Sequence, residues 1–238
     1  MKKKTTIYVG TSGWAYNWNL GGNLLWFTEN SGLNSIELNM SFYRFPFPNI
    51  IKGWTKIGKN LRWSIKVNRL ITHIFKFSEK AFESWKRFEK LFEPMNNFID
   101  FYLFQLPPSV TPGSTNKIKE FIKKTKLKER FALEFRNEKW FEWLSNNGLE
   151  WCKKLKILPV SIDAPEFSRD AFNTNGIVYE RVHGRSGWYS HDYSDKELRE
   201  IADKILKTKP KKVYVYFNNN HSMLKNAQSM MKVLKSCL

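Results

Sequence analysis

A chain of 238 residues, 42% hydrophobic and 26% charged, is long enough to bury a full apolar core in one domain without staples. Two cysteines, Cys152 and Cys237, exclude a disulfide framework, and no run approaches the roughly 18 apolar residues of a membrane span, so the sequence reads as cytoplasmic. Lys and Arg number 40 against 22 Asp and Glu, a net charge of +18 that invites polyanions but names none.

Short β-like segments recur at residues 7–12, 35–39, 63–67, 101–105, 132–136, 160–163, 179–183 and 213–218, each with a polar or charged residue at or near its end. Helical patterns lie between them. Ser78 opens one with Phe82, Trp85, Phe88, Leu91 and Phe92 on a stripe, and Ser114 or Thr115 opens another carrying Ile118, Phe121 and Ile122. Ser194 and Glu197 form a capping box ahead of Leu198, Ile201, Ala202, Ile205 and Leu206. Met223, Ala227, Met230, Met231 and Leu234 line the last helix. Residues 164–176 leave room for one helical turn at most. Strands alternating with helices predict a parallel sheet, and eight such units predict an α/β fold: a closed (β/α)8 TIM barrel, one domain over residues 1–238, with its sixth helix reduced or missing. The lysine runs at 2–4, 123–128, 153–156 and 207–212 each precede a strand. That places them on the N-terminal rim, where cations complement helix C-termini.

Strand side chains alternate between helix layer and lumen. Apolar Ile36 and Leu38 face helices, which sends Glu37 and Asn39 inward. The same parity sends Ser64 and Lys66, Glu134 and Arg136, Ser161 and Asp163, Tyr179, Arg181 and His183, and Tyr216 and Asn218 inward. Gln105 joins them. Glu180 then points outward among apolar neighbours with no physical reason in the sequence.

Gly10-Thr11-Ser12-Gly13-Trp14, Glu37-Leu38-Asn39 with Ser41-Phe42-Tyr43, Lys66 with Thr72-His73, Phe104-Gln105-Leu106-Pro107-Pro108, Glu134-Phe135-Arg136 with Trp140, Asp163, His183-Gly184 and Tyr216-Phe217-Asn218-Asn219 occur in that order. The set resembles the domain of unknown function 72 family, also called YecE-like, over nearly the whole chain. The resemblance implies a TIM barrel and settles no reaction. Its barrel looks related to the xylose isomerase and endonuclease IV type, a hint of sugar or phosphodiester chemistry by analogy of fold. The loop after Asn218 looks shortened.

Glu37 and Glu134 are the candidate acid–base pair, one with its pKa raised by burial, and Lys66, His183 and Asp163 complete the candidate catalytic set. Arg136, Lys66 and Arg181 are placed to hold an anion, with Asn39, His73, Gln105, Tyr216 and Asn218 as further substrate contacts. The stretches His183-Gly184-Arg185-Ser186-Gly187 and Asn218-Asn219-Asn220-His221-Ser222 follow the seventh and eighth strands, where TIM barrels often bind phosphate. Trp14, Tyr43, Trp140 and Trp188 offer faces for sugars or bases. A metal on Glu37, Glu134, Asp163 and His183 is disfavoured, because Lys66 and Arg181 share the cup and no His-x-His or His-Glu-x-x-His spacing occurs among the four histidines. No metal and no cofactor are therefore assigned. The sequence reading is an enzyme, hydrolase or isomerase, acting on a phosphate- or sugar-bearing small molecule, with nucleic acid as a further candidate. The alternatives are a non-catalytic nucleic-acid-binding protein and a small-ligand-binding barrel.

Overall fold

The computed structural model describes residues 5–167 and 169–237. The lysine run at 2–4 lies outside them. The strand segments are β1 Thr6–Thr11, β2 Ser35–Leu38, β3 Arg62–Lys66, β4 Ile99–Gln105, β5 Phe131–Glu134, β6 Leu158–Pro159, β7 Ser161–Asp163, β8 Ile177–Val182 and β9 Lys212–Phe217. They pair in parallel in the order β6-β5-β4-β3-β2-β1-β9-β8-β7. Only Val160 separates β6 from β7, so these are two halves of one stave. The first half pairs with β5 and the second with β8, which nearly closes the ring. This is the single-domain TIM-type barrel the alternation predicts.

The helices are α1 Leu24–Asn30, α2 Met40–Tyr43, α3 Pro48–Ile57, α4 Glu79–Leu91, α5 Thr115–Thr125, α6 Lys139–Trp143, α7 Leu149–Leu155, α8 Asp195–Lys207 and α9 Met223–Ser236. Each apolar stripe read from the sequence packs against the barrel: Trp85 and Phe88 in α4, Ile118 and Phe121 in α5, Leu198, Ile201 and Ile205 in α8, Met223, Met230 and Leu234 in α9. The capping box at Ser194 is present, whereas Ser78 caps α4 without a side-chain bond. No helix follows β7 among the described residues of 164–176, as the short crossover requires. The α5 and α7 helices end at Lys126 and Lys156 in left-handed backbone, and the exposed lysines around them precede β5 and β6 on the N-terminal rim.

The lumen is filled in storeys, and mostly by rings rather than by branched aliphatic chains. At the bottom Tyr8 stacks on Tyr214 at 4.6 Å and Phe101 meets Tyr214 edge-on at 4.6 Å. Above them the Tyr216 hydroxyl lies 2.7 Å from Ser35 Oγ, and the Tyr179 hydroxyl lies 2.6 Å from Ser64 Oγ. Each buried phenol thus reaches a polar partner. Gly10 occupies an inward position where β1 and β2 approach closely. A Cβ there would sit 2.3 Å from the Ser35 carbonyl oxygen. The top storey is ionic.

Candidate functional site

The C-terminal end of β8 sets Arg181 on the barrel axis, fully buried. Its Nη1 donates to Glu134 Oε2 at 2.6 Å, its Nη2 to Glu37 Oε1 at 2.6 Å, and its Nε to Glu37 Oε2 at 3.0 Å. One guanidinium therefore bridges the carboxylates of β2 and β5. Glu37 also accepts from Ser12 Oγ at 2.7 Å and from the Tyr179 hydroxyl at 2.6 Å. Glu134 accepts from Gln105 Nε2 at 3.1 Å and pairs with Arg136 Nη2. Burial alone would push the Glu134 carboxyl up, but Arg136 and Arg181 outweigh it and hold it well below the usual carboxylate range. Glu134 is thus not the raised member of the acid–base pair expected from the sequence. Glu134 is an ion, and it carries no proton to donate at neutral pH.

His183 follows β8 and is fully buried. Burial and then the Arg181 and Arg136 guanidinium groups push its imidazole well below the ordinary histidine value, so the ring is neutral. Its Nε2 lies 3.2 Å from Arg136 Nη2, 3.2 Å from Arg181 Nη1 and 3.7 Å from Glu134 Oε1. Two close donors against one distant acceptor make Nε2 an acceptor and put the proton on Nδ1. The Asn218 amide, 3.3 Å from Nδ1, then presents its oxygen, since the two ends of an amide exchange by a flip.

Lys66 ends β3 beside this network and keeps 8% of its surface exposed. Its Nζ stands over the Phe42 ring, 4.2 Å from the centroid. Among the described residues the Nζ has no hydrogen bond and no ion pair, while the Lys66 carbonyl accepts from Ser41 Oγ at 2.6 Å. Burial, reinforced by the Arg181 charge, pulls its amine down to about 7. The same forces, burial and then Lys66, pull His73 down to about 4.

Two clefts open over the storey. The polar one, about 600 Å³, is lined by His73, Gln105, Arg136, Lys139, Trp188 and Tyr189 among others. Arg136 stacks on Trp188, 4.6 Å from the ring centroid, and its buried Nε has no partner among the described residues. The apolar one, about 410 Å³, is lined by Ser12, Trp14, Tyr16, Leu38, Asn39 and Tyr43. Asn39 Oδ1 is buried there without a partner among the described residues.

Of the sequence candidates, Glu37, Lys66, Glu134, Arg136, Arg181, His183 and Asn218 meet in the cup. His73, Gln105, Trp188, Trp14, Asn39 and Tyr43 line the clefts above it. Asp163 does not join them. The register sets Ile162 beside Arg181 and Asp163 beside Val182, so Ile162 faces the lumen and Ser161 and Asp163 face outward. Asp163 binds Arg185 at 2.9 Å and the Tyr193 hydroxyl at 2.7 Å, and Ser161 Oγ accepts from the Phe172 amide. The parity read for this stave is reversed because no helix covers it. Polar loops do, and they reward polar outward residues. Glu180 is also outward and buried, where burial and then Asp163 push its carboxyl well above the usual range, so it sits there uncharged.

Four other candidates have structural employment. Trp140 is buried, donates to the Val110 carbonyl at 2.7 Å and packs on Phe135 and Trp143. Tyr216 lies a storey below the cup. Asn219 Nδ2 binds the His191 carbonyl and Asn226 Oδ1. The Gly184 amide donates to Tyr193, and its φ of +122° and a Gly187 oxygen 2.3 Å from any added Cβ demand glycine. Sequence reasoning missed Ser12 as a partner of Glu37, although continued alternation from Tyr8 and Gly10 points it inward. It also missed Phe42 beneath Lys66, for which the sequence carries no signal. Among the described residues no cluster of three metal-ligating side chains occurs, and no helix is long and apolar enough to cross a membrane.

Fold and cup together define a (β/α) barrel with an ionic floor and two ring-lined clefts at its C-terminal strand ends. The chain belongs to the family described as "Protein of unknown function DUF72", whose model matches residues 8–237. It is similar to the crystal structure of a DUF72 family protein from Enterococcus faecalis V583, with 21% identity, a TM-score of 0.83 and coverage of 97% of this chain and 96% of that one. A DUF72 family protein from Thermotoga maritima MSB8 is similar too, with 24% identity, a TM-score of 0.81 and coverage of 97% and 99%. Comparison with curated proteins gives no match.

Proposed function

We propose that the cup is the active site of an enzyme for a small phosphate- or sugar-bearing anion, with Lys66 rather than the carboxylates as its proton-transfer group. The observation that carries this reading is the buried amine of Lys66, over the Phe42 ring and within reach of the charge of Arg136, the residue that lines the polar cleft. The floor holds two guanidinium groups, Arg136 and Arg181, and the half-protonated amine of Lys66 against two carboxylates, Glu37 and Glu134. Buried charge needs compensation, and an anion entering the cleft supplies it. An amine near pKa 7 is matched to take and return a proton at neutral pH, as hydrolysis and isomerisation both require. Glu37 and Glu134 fix Arg181, and the faces of Trp188 and Tyr189 offer a platform for a sugar ring. Isothermal titration with inorganic phosphate and a panel of sugar phosphates tests the reading. Arg136→Met should weaken binding at least about tenfold, the scale of one lost charge-assisted contact. Binding that is absent, or indifferent to Arg136→Met, overturns it.

A further inference from the structure

We propose that Lys66 is a covalent catalyst whose Nζ forms an imine with an aldehyde or ketone carrying the anionic group that Arg136 holds. This rests on the anion-site reading above and names the substrate class of that site: a phosphorylated or carboxylated carbonyl compound. A nucleophilic lysine needs three things that this one has. It must be free of a carboxylate clamp, and here Glu37 is taken by Ser12, Tyr179 and Arg181 while Glu134 is taken by Arg181, Arg136 and Gln105. It must be held in place, and the Phe42 face does that at 4.2 Å. It must stand where a carbonyl can reach, and Lys66 keeps 8% of its surface exposed between the strand ends that line the two clefts. On the β2 side of Lys66 the apolar cleft presents Asn39, with its unpartnered Oδ1, and on the β4 side the polar cleft presents Gln105.

Burial first, then the Arg181 charge, with Arg136 in the same sense, outweigh the carboxylates of Glu134 and Glu37 and leave about half of the amine uncharged at pH 7. A desolvated lysine beside another cation is the setting in which amines add to carbonyls. The lone pair of Nζ forms a bond to the carbonyl carbon, and the π pair moves to oxygen. A proton passes from nitrogen to that oxygen, giving a carbinolamine. The hydroxyl takes a second proton, from solvent, and leaves as water, the nitrogen lone pair closing the C=N bond as an iminium ion; loss of its N–H proton to solvent gives the neutral imine. One water is released and no oxidant or reductant is needed.

The test is reductive trapping of the full chain at pH 7 with glyceraldehyde 3-phosphate and cyanoborohydride, which delivers hydride to the iminium carbon. Peptide mass spectrometry then locates the secondary amine. At pH 7 an amine of pKa about 7 has roughly a thousandfold greater neutral fraction than a surface lysine, so Lys66 should label at least about tenfold faster than the exposed lysines. Free phosphate should suppress that label and leave the others. Unphosphorylated glyceraldehyde should label Lys66 more slowly. Lys66→Met should lose the fast phase while keeping the folded state, checked by thermal melting. Labelling at the exposed lysines only, with phosphate still binding, overturns the imine and leaves the anion site standing. If phosphate does not bind at all, both fall.

Discussion

Replacing Arg181 by Met keeps an unbranched apolar stem and removes the charge that two buried carboxylates share. Glu37 and Glu134 are fully buried, and each loses a donor at 2.6 Å. Breaking a buried pair from one side costs about 3–5 kcal/mol, because the remaining ion is left uncompensated. For a domain of this size each kcal/mol is about 2–4 °C, so the melting temperature should fall by roughly 6–20 °C at pH 7. The deficit must also depend on pH. In the native protein Glu134 has a depressed pKa, so its contribution is present above the unfolded value near 4.3 and is lost as pH falls. In the variant Glu134 loses the Arg181 charge that helps to hold it ionised and takes up a proton more readily. The difference between variant and parent should therefore narrow from pH 7 towards pH 4.5. Urea unfolding followed by the fluorescence of the ten tryptophans measures it at each pH. A loss below about 1 kcal/mol, or one that does not change with pH, refutes the ionic floor as described.

His183 and His73 are both held below their ordinary value, so the unfolded chain takes up their protons first as pH falls through about 6.5. Stability should decline below pH 6.5 by up to about 1.4 kcal/mol per pH unit for each ring, and His183→Gln should roughly halve that slope in unfolding experiments at pH 7.5, 6.5 and 5.5. An unchanged slope would show that His183 titrates normally. Gly10→Ala places a Cβ against the Ser35 carbonyl and should destabilise the barrel by about 1–3 kcal/mol or more in the same assay, where a neutral result removes the close approach of β1 and β2. Asp163→Asn weakens the bonds from Arg185 and Tyr193 and should cost about 1–2 kcal/mol while leaving phosphate affinity within about twofold. A larger fall in affinity would return Asp163 to the site.

The barrel was legible because its rhythm is covalent: eight apolar runs at helix-length spacing admit few other arrangements. The cup was legible wherever a helix covers the stave, since Ile36 and Leu38, or Leu133 and Phe135, then mark the outer face by default. It failed at Ser161 and Asp163, where loops replace the helix and the outer face is polar, so the same rule returns the opposite parity. Trp140 and Asn219 show a second limit. A side chain near a strand end is drawn to the cup by sequence distance, but an indole N–H or an amide is equally content with a loop carbonyl. The roles inside the cup were illegible for another reason. Which of five charged groups stays unpaired depends on reach across the lumen, and the bridging of both carboxylates by Arg181 frees Lys66 in a way no local pattern announces.

The charge state of that lysine is open to direct observation. Selective ¹³C labelling of lysine side chains and a pH titration of the Lys66 Cε resonance, assigned by its loss in Lys66→Met, report it without any knowledge of the substrate. A midpoint near 7 is the outcome required here. A midpoint near 10 would mean an ordinary solvated ammonium ion at the end of β3, with no reactive amine in the cup.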